Sequence, residues 1–287
     1  MKRFIVLFAL VAMVALAVAG GRASAASKAT YYLSLGDSLA QGYQPIGGTR
    51  SSTVIPTGYY QGYADQLFKL ERDKYTQLQL VKLGCGGESS VSMLYGSQNP
   101  NVAASCGPPA FYEHQYPDGS TQLAEAVAFL EQHRGSVAFV TIDIGANDLL
   151  GPSGIGPLLT NLPIILAELQ AAAGADVPIL GMNYYDPFAP QAWSQGGLPG
   201  LQGQVAGVVG FNNLLEEMYA ARGDPVADVE SAFSTTDMTP VGGIPLDVLR
   251  ICQWTWMCAP PPLGPDANAN TAGYGVIAHT FENVLNP

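Results

Sequence analysis

Charge is scarce in this chain, and histidine is scarcer. Charged residues make up 12% of 287, with 12 Lys+Arg against 23 Asp+Glu and 3 His. The formal net charge of −11 argues against nucleic-acid partners, whose binding draws on counterion release by clustered cations. The same deficit gives no electrostatic hold on anionic lipid. Low charge beside 48% hydrophobic residues excludes intrinsic disorder, because such a chain can bury a sizeable core. Cysteine is limited to 4, and none falls in a C-x-x-C pair, so a structural zinc is not expected. No phosphate loop, dinucleotide fingerprint or metal-ligand cluster occurs. No cofactor is therefore expected.

Long apolar runs are also lacking, except at the N-terminus. Lys2 and Arg3 precede an apolar stretch from Phe4 to about Ala19, followed by Gly20-Gly21-Arg22-Ala23-Ser24-Ala25. This is the pattern of a secretory signal peptide. The stretch falls short of the ~20 residues needed to span a bilayer. A leader over 1–25 and a mature domain over 26–287 are expected, with a secreted product and no stable membrane insertion after cleavage. Removing Lys2, Arg3 and Arg22 and no acid takes the net charge from −11 to −14. In an exported chain, four cysteines read as two disulfides. Three pairings are open. The sequence-local one, Cys85–Cys106 with Cys252–Cys258, is the simplest.

Strand-like and helix-like segments alternate along the rest. Thr30–Leu35, Leu78–Leu83, Val137–Ile144, Pro178–Tyr184 and a short stretch at Val226–Val229 read as strands. Val137–Ile144 is apolar on both faces and is expected to be central. Helical spacing marks Gly58–Tyr75, Leu123–His133, Leu158–Ala172 (with Pro163 inside), Gly203–Ala221 and Thr271–Leu285. Glycine and proline gather in Gln44–Thr57, Ser97–Ser120, Asp186–Gly203 and Ala259–Pro265, which read as loops. Alternation of this kind predicts parallel strands joined by right-handed crossovers. The expected fold is one three-layer α/β/α domain of about five mostly parallel strands, flavodoxin-like, and the expected state is a monomer.

Three loops follow strand ends. They are Ser34-Leu35-Gly36-Asp37-Ser38-Leu39, Leu83-Gly84-Cys85-Gly86-Gly87-Glu88-Ser89-Ser90 and Asp143-Ile144-Gly145-Ala146-Asn147-Asp148. In a parallel sheet they converge on one edge. A serine opening a helix there can act as a nucleophile, with N–H groups at the turn favouring a developing oxyanion. Taken singly, Ser38 could be a helix cap, Gly87 a tight turn, and Asn147 a turn or cap.

Taken together, these blocks resemble the SGNH/GDSL hydrolases. Gly36-Asp37-Ser38-Leu39 is similar to the GDSL block, Gly87 to the oxyanion glycine, and Gly145-Ala146-Asn147-Asp148 to the G-x-N-D block. The resemblance implies an SGNH-type fold and hydrolysis of a carboxylic ester, either lipid or small acyl, or acetylated polysaccharide. It implies Ser38 as nucleophile, with the Ser38 and Gly87 N–H groups and the Asn147 side chain as oxyanion donors. The elbow G-x-S-x-G of the α/β-hydrolases is missing.

One block departs from the family. Its histidine belongs in D-x-x-H before the last helix, and counting back from Gly273-Tyr274 puts Asn268 there. Pro265 stands at the acid position, with Asp266 one place off. An amide cannot carry a proton near neutral pH, and loss of that shuttle leaves only residual catalysis. Three accounts stand open: an inactive form, another group as base, or slow turnover through water and Asp266. A binding protein that keeps the pocket is the different-class alternative. His133 reads as a helix-end cation and His279 as a helix-surface residue. His114, in the loop past Cys106, is the one candidate stand-in. Trp254 and Trp256, inside the Cys252–Cys258 ring, and Tyr184, after strand four, are candidate substrate contacts. Asp186 reads as a turn residue and Glu88 as a strut for the Gly87 loop.

Overall fold

The structure is a computed structural model that describes residues 30–45, 61–75, 77–96 and 119–287. The expected leader over 1–25, together with Cys106 and His114, lies outside the described residues.

Strand β1 (Thr30–Gly36) enters the protein and turns into α1 (Ser38–Gln41), with α2 (Tyr63–Glu71) next among the described elements. Strand β2 (Leu78–Lys82), α3 (Ser90–Tyr95), α4 (Gln122–Gln132) and β3 (Val137–Asp143) follow. Then come α5 (Ala146–Leu150), α6 (Gly156–Ala173), β4 (Ile179–Met182), α7 (Ala189–Ala220) and β5 (Val226–Ala227). The chain closes with α8 (Val229–Ala232), the short antiparallel pair β6 (Pro240–Val241) and β7 (Ile244–Pro245), α9 (Leu246–Trp254) and α10 (Thr271–Leu285).

The first five strands form one parallel sheet in the order β2-β1-β3-β4-β5. This is the doubly wound arrangement expected from the alternation. Helices α2 and α10 pack together on one side, and α3, α4, α6 and α7 on the other. β3 is buried almost throughout, as its unbroken apolar run predicts for a strand covered on both faces. The order reverses between β1 and β3, so the crevice at their carboxyl ends is the switch point where such folds bind ligands.

One expectation fails. Asp186–Gly203 reads as a loop on its glycine and proline content, yet Ala189–Ala220 is helical, with one break at Gly197 (φ 59°). Glycine tolerates the left-handed backbone that joins the two pieces. Pro190 sits in the first turn, where a missing N–H costs nothing, and Pro199 lies just past the break. Burial of Ala189, Leu201, Val205 and Phe211 holds both pieces to the sheet. Helix α10 spans the expected residues, because Asn270 caps it by accepting from the Ala272 and Gly273 amides. The Cys252–Cys258 disulfide is present. Cys85 is disulfide-bonded as well. Among the described residues no helix is long and apolar enough to cross a membrane, and no group of three or more acidic, His or Cys side chains could hold a metal.

Candidate active site

The three loops meet at the carboxyl ends of β1, β2 and β3, with β1 in the middle. Gly36 pairs with Asp143 in register, and the Asp37 amide donates to the Asp143 carbonyl at 3.1 Å. Gly36 has φ +132°, and a Cβ there would stand 2.0 Å from Asp143 Oδ1. Only glycine lets the two strands end so close together. Asp37 caps α1 by accepting from the Leu39 amide at 2.9 Å. Ser38, half-exposed, is therefore the first residue of the helix, where backbone N–H groups have no intrahelical partner.

Gly87 is exposed and has φ 85°, a left-handed turn that suits glycine. The backbone N–H groups of Ser38 and Gly87 make no hydrogen bond among the described residues. Asn147 ties the loops together: its Nδ2 donates to the Glu88 carbonyl at 2.9 Å and to Asp37 Oδ2 at 3.2 Å. Both amide hydrogens are thus engaged, and one must be released before Asn147 can serve an oxyanion. Behind them, Asp148 takes hydrogen bonds from the Ser90 amide at 2.8 Å and the Ser90 hydroxyl at 2.5 Å. Gln122 links Gly36 to Glu88: it accepts from the Gly36 amide, and its Nε2 donates to the Gly36 carbonyl and to Glu88 Oε2. Glu88 is the strut the sequence suggests, 3% exposed.

The site is rich in buried acid. Burial pushes Asp37 up to about 6, against hydrogen bonds from Leu39, Asp143 and Ser38 that favour its charged form. Burial, and then the neighbouring Asp37, push Asp143 well above the ordinary carboxylate range. Both carboxyls therefore keep their protons to a higher pH than an exposed aspartate does. Burial also lifts Glu88 to about 7. Asp37 and Glu88 in the folded chain keep protons that an unfolded chain releases near its ordinary values of 3.8 and 4.5. Their contribution to stability is full below those values and is lost as pH rises through 6 and 7. Melting should therefore occur at a higher temperature at pH 5 than at pH 8, by on the order of 10 °C, taking about 1.4 kcal/mol for each tenfold change in proton affinity and about 2–4 °C per kcal/mol. A Tm that climbs steadily from pH 5 to pH 8 would contradict this account.

The fourth loop is held by backbone bonds to the end of α9. The Trp256 amide donates to the Asn268 carbonyl at 3.0 Å, the Asp266 amide to the Trp256 carbonyl at 3.2 Å, and the Asn270 amide to the Trp254 carbonyl at 2.9 Å. Thr255 and Ala269 form an antiparallel bridge. The Cys252–Cys258 disulfide closes the ring on which this loop rests. From the loop after β4, Tyr185 donates to the Ala267 carbonyl at 2.7 Å. From α10, Tyr274 donates to the Tyr43 carbonyl at 2.7 Å and to the Ser38 carbonyl at 3.4 Å. Asp37 and Asp266 both act electrostatically on Tyr185 and Tyr274, so this loop stands near the Ser38 loop. Within it, the Asn268 amide is turned onto its own neighbour: Nδ2 donates to Asp266 Oδ1 at 2.9 Å, and the backbone N–H to the same oxygen at 2.8 Å.

The other candidates have plain positions. Trp254 is half-buried, edge-on to Phe233 with Arg250 stacked over it. Trp256 is half-buried beside the Asp266–Asn268 loop. Tyr184 is buried against Phe211, and its amide donates to Asn212; this burial leaves it little surface for a ligand. Asp186 caps the turn into α7 through the Phe188 amide. His133 stacks on Phe129 at the end of α4. His279 is exposed and pairs with Glu282. Sequence reasoning gives Asp37 and Asp143 no role. An aspartate inside the otherwise apolar β3 is the available signal, since a buried carboxyl demands a partner.

Comparison with known proteins bears on the family and the fold. The model of the GDSL-like lipase/acylhydrolase family matches residues 34–248. A search of curated proteins found no match. Among solved structures, a GDSL-like protein from Parabacteroides merdae is similar at 13% identity and TM-score 0.53, over 90% of this chain and 96% of that one. An extracellular lipase from Streptomyces rimosus is similar at 16% identity and TM-score 0.50, over 89% of this chain and 100% of that one. A catalytic mutant of an acetylxylan esterase from Geobacillus stearothermophilus is similar at 13% identity and TM-score 0.50, over 90% and 94%. At such identities the likeness is one of fold.

Proposed function

The chain belongs to the GDSL-like lipase/acylhydrolase family, and from that membership we propose that it is a secreted hydrolase of carboxylic esters acting through Ser38. The observation that carries the reading is the pair of N–H donors at Ser38 and Gly87 that meet no acceptor among the described residues, with Ser38 opening a helix between the loops that hold Gly87 and Asn147. Ser38 Oγ attacks the acyl carbon. The carbonyl oxygen gains charge toward those N–H groups, joined by Asn147 once one of its hydrogens is released. An acyl-enzyme follows, and water clears it.

An apolar acyl chain suits the surroundings. Val91 and Tyr95 on α3 and Leu149 and Leu150 on α5 are exposed, and these helices leave the Gly87 and Asn147 loops directly. Lipid or short acyl esters are therefore the first substrate class and an acetylated polysaccharide the second. Residues 1–25 act as the export signal, and the mature chain works as a monomer.

Asn268 sits where the family carries its proton shuttle, so turnover is slow. That same residue favours a second reading, a non-catalytic protein that binds esters or acetylated glycans. A chromogenic short-chain ester separates the two. The hydrolase reading expects turnover that Ser38→Ala reduces to the background rate, with phosphonate labelling of Ser38. Turnover unchanged in Ser38→Ala would remove Ser38 from the mechanism.

A further inference from the structure

An oxyanion site stabilises charge only if its donors are held at a fixed spacing before the charge arrives. The Ser38 and Gly87 N–H groups lie on different loops, and neither loop by itself sets the gap between them. We propose that Gln122, the first residue of α4, is the positioning residue that sets it. The inference rests on the reading of Ser38 as nucleophile.

The β1–β2 ladder ends at Ser34 and Lys82, short of Gly36. Beyond it the Cys85 amide still reaches the Gly36 carbonyl at 3.0 Å, but the Gly36 N–H finds its acceptor in a side chain. Gln122 Oε1 takes that N–H at 2.6 Å, and Gln122 Nε2 donates to the Gly36 carbonyl at 2.9 Å. The primary amide thus stands in for a strand at the end of β1. Its other Nε2 hydrogen goes to Glu88 Oε2 at 3.1 Å, so both hydrogens and the oxygen are engaged, and the amide has one orientation. Gln122 comes from outside the three loops and bonds two of them.

Those two bonding points flank the donors. Gly36 lies two residues before Ser38, and Glu88 directly follows Gly87. Glu88 is further fixed by its own amide, which donates to the Cys85 carbonyl at 3.1 Å, and by its carbonyl, which accepts from Asn147. Gln122 has a firm base: Thr121 caps α4 by accepting from the Ala124 amide, and Leu123, Ala126 and Leu130 are buried. Gln122 is itself fully buried. Without its amide, the Gly36 N–H loses its acceptor and the Glu88 carboxyl a donor, and the two loops can drift apart. A shift of about 1 Å in such a site can cost about 10²-fold in rate.

The test is hydrolysis of a short-chain nitrophenyl ester by the full mature chain carrying Gln122→Met, which keeps the side chain's length and removes its hydrogen bonds. In a variant assayed well below its melting temperature, kcat should fall about 10²-fold with KM little changed, because the donors act on the transition state and not on the bound ester. Phosphorylation of Ser38 by a diethyl nitrophenyl phosphate, read as one burst of nitrophenolate, should slow by a similar factor, and this readout needs no turnover. Gln122→Glu is the second variant. The introduced carboxyl keeps the acceptor for the Gly36 N–H but has at most one hydrogen to give. Once ionised it has none, and it faces Glu88, on which Asp37 and Asp148 already act. Its rate relative to wild type at the same pH should therefore fall as pH rises from about 5 to 8, where a buried carboxyl loses its proton. Folded Gln122→Met with wild-type kcat and labelling rate overturns the proposal, as does a loss confined to KM. If Gln122→Met does not fold, a flat ratio for Gln122→Glu overturns it. A wild type that neither turns over nor releases nitrophenolate through Ser38 sinks the Ser38 reading itself, and this inference with it.

Discussion

Asn268→His is expected to raise kcat/KM toward a short-chain ester by about 10²-fold or more at neutral pH, within the range that a positioned acid–base group supplies. Two observations make the site ready for the imidazole. Asp266 Oδ1 already accepts from Asn268 Nδ2 at 2.9 Å, and a histidine Nδ1–H can occupy that bond. This would fix the tautomer that leaves Nε2 free to accept a proton. The surrounding loop is also tied down, at the Trp256 amide, the Asn270 amide and the Tyr185 hydroxyl. A new side chain therefore starts from a fixed backbone. The histidine supplies the acid–base group that an amide cannot, taking a proton from the nucleophile and handing it to the leaving group. Steady-state kinetics on the purified variant measure the gain. No gain in a well-folded variant would mean that position 268 does not face Ser38.

Gly36→Ala is expected to cost on the order of 3–5 kcal/mol, the range reserved for severe backbone and packing conflicts. The new Cβ would lie 2.0 Å from Asp143 Oδ1 and 2.2 Å from the Asp143 carbonyl oxygen. The backbone cannot retreat, because Gly36 is paired with Asp143 and its amide and carbonyl are both held by Gln122. Its φ of +132° is strained for any L side chain as well. Gly223→Ala isolates that strain: Gly223 has φ +76° with nothing within 4 Å of the added carbon, so it should cost only about 1–2 kcal/mol. Urea unfolding followed by circular dichroism gives both values. Equal costs for the two variants would show that the Gly36–Asp143 approach is not rigid.

The residues most legible in the sequence are those whose role is local. Asn270 opens α10 by accepting from the amides two and three residues on, Ala272 and Gly273, so a helix from Thr271 can be placed from the order of residues alone. The apolar run of β3 likewise announces a central strand. The stretch after Asp186 misleads for the opposite reason. Its glycines and prolines signal a loop by composition, yet Gly197 absorbs the break, and burial against the sheet draws Leu201, Val205 and Phe211 into helix. Propensity yields there to tertiary packing. The acid pair is hidden by distance along the chain. Asp37 and Asp143 lie far apart in sequence, and nothing in either neighbourhood says that the two will be buried side by side.

By itself the sequence determined the doubly wound α/β architecture, the three loops on its carboxyl edge and the want of a histidine at position 268. Each of these follows from periodicity, strand–helix order or residue identity. Only the tertiary structure decided what those loops do to one another. It engages both hydrogens of Asn147, leaves the Ser38 and Gly87 amides without an acceptor among the described residues, turns Asn268 onto Asp266 and buries Asp37 against Asp143. The physical reason is that hydrogen-bond partners and desolvation are set by where strands end in space, and β1 and β3 end side by side through a pairing that no local stretch of sequence encodes.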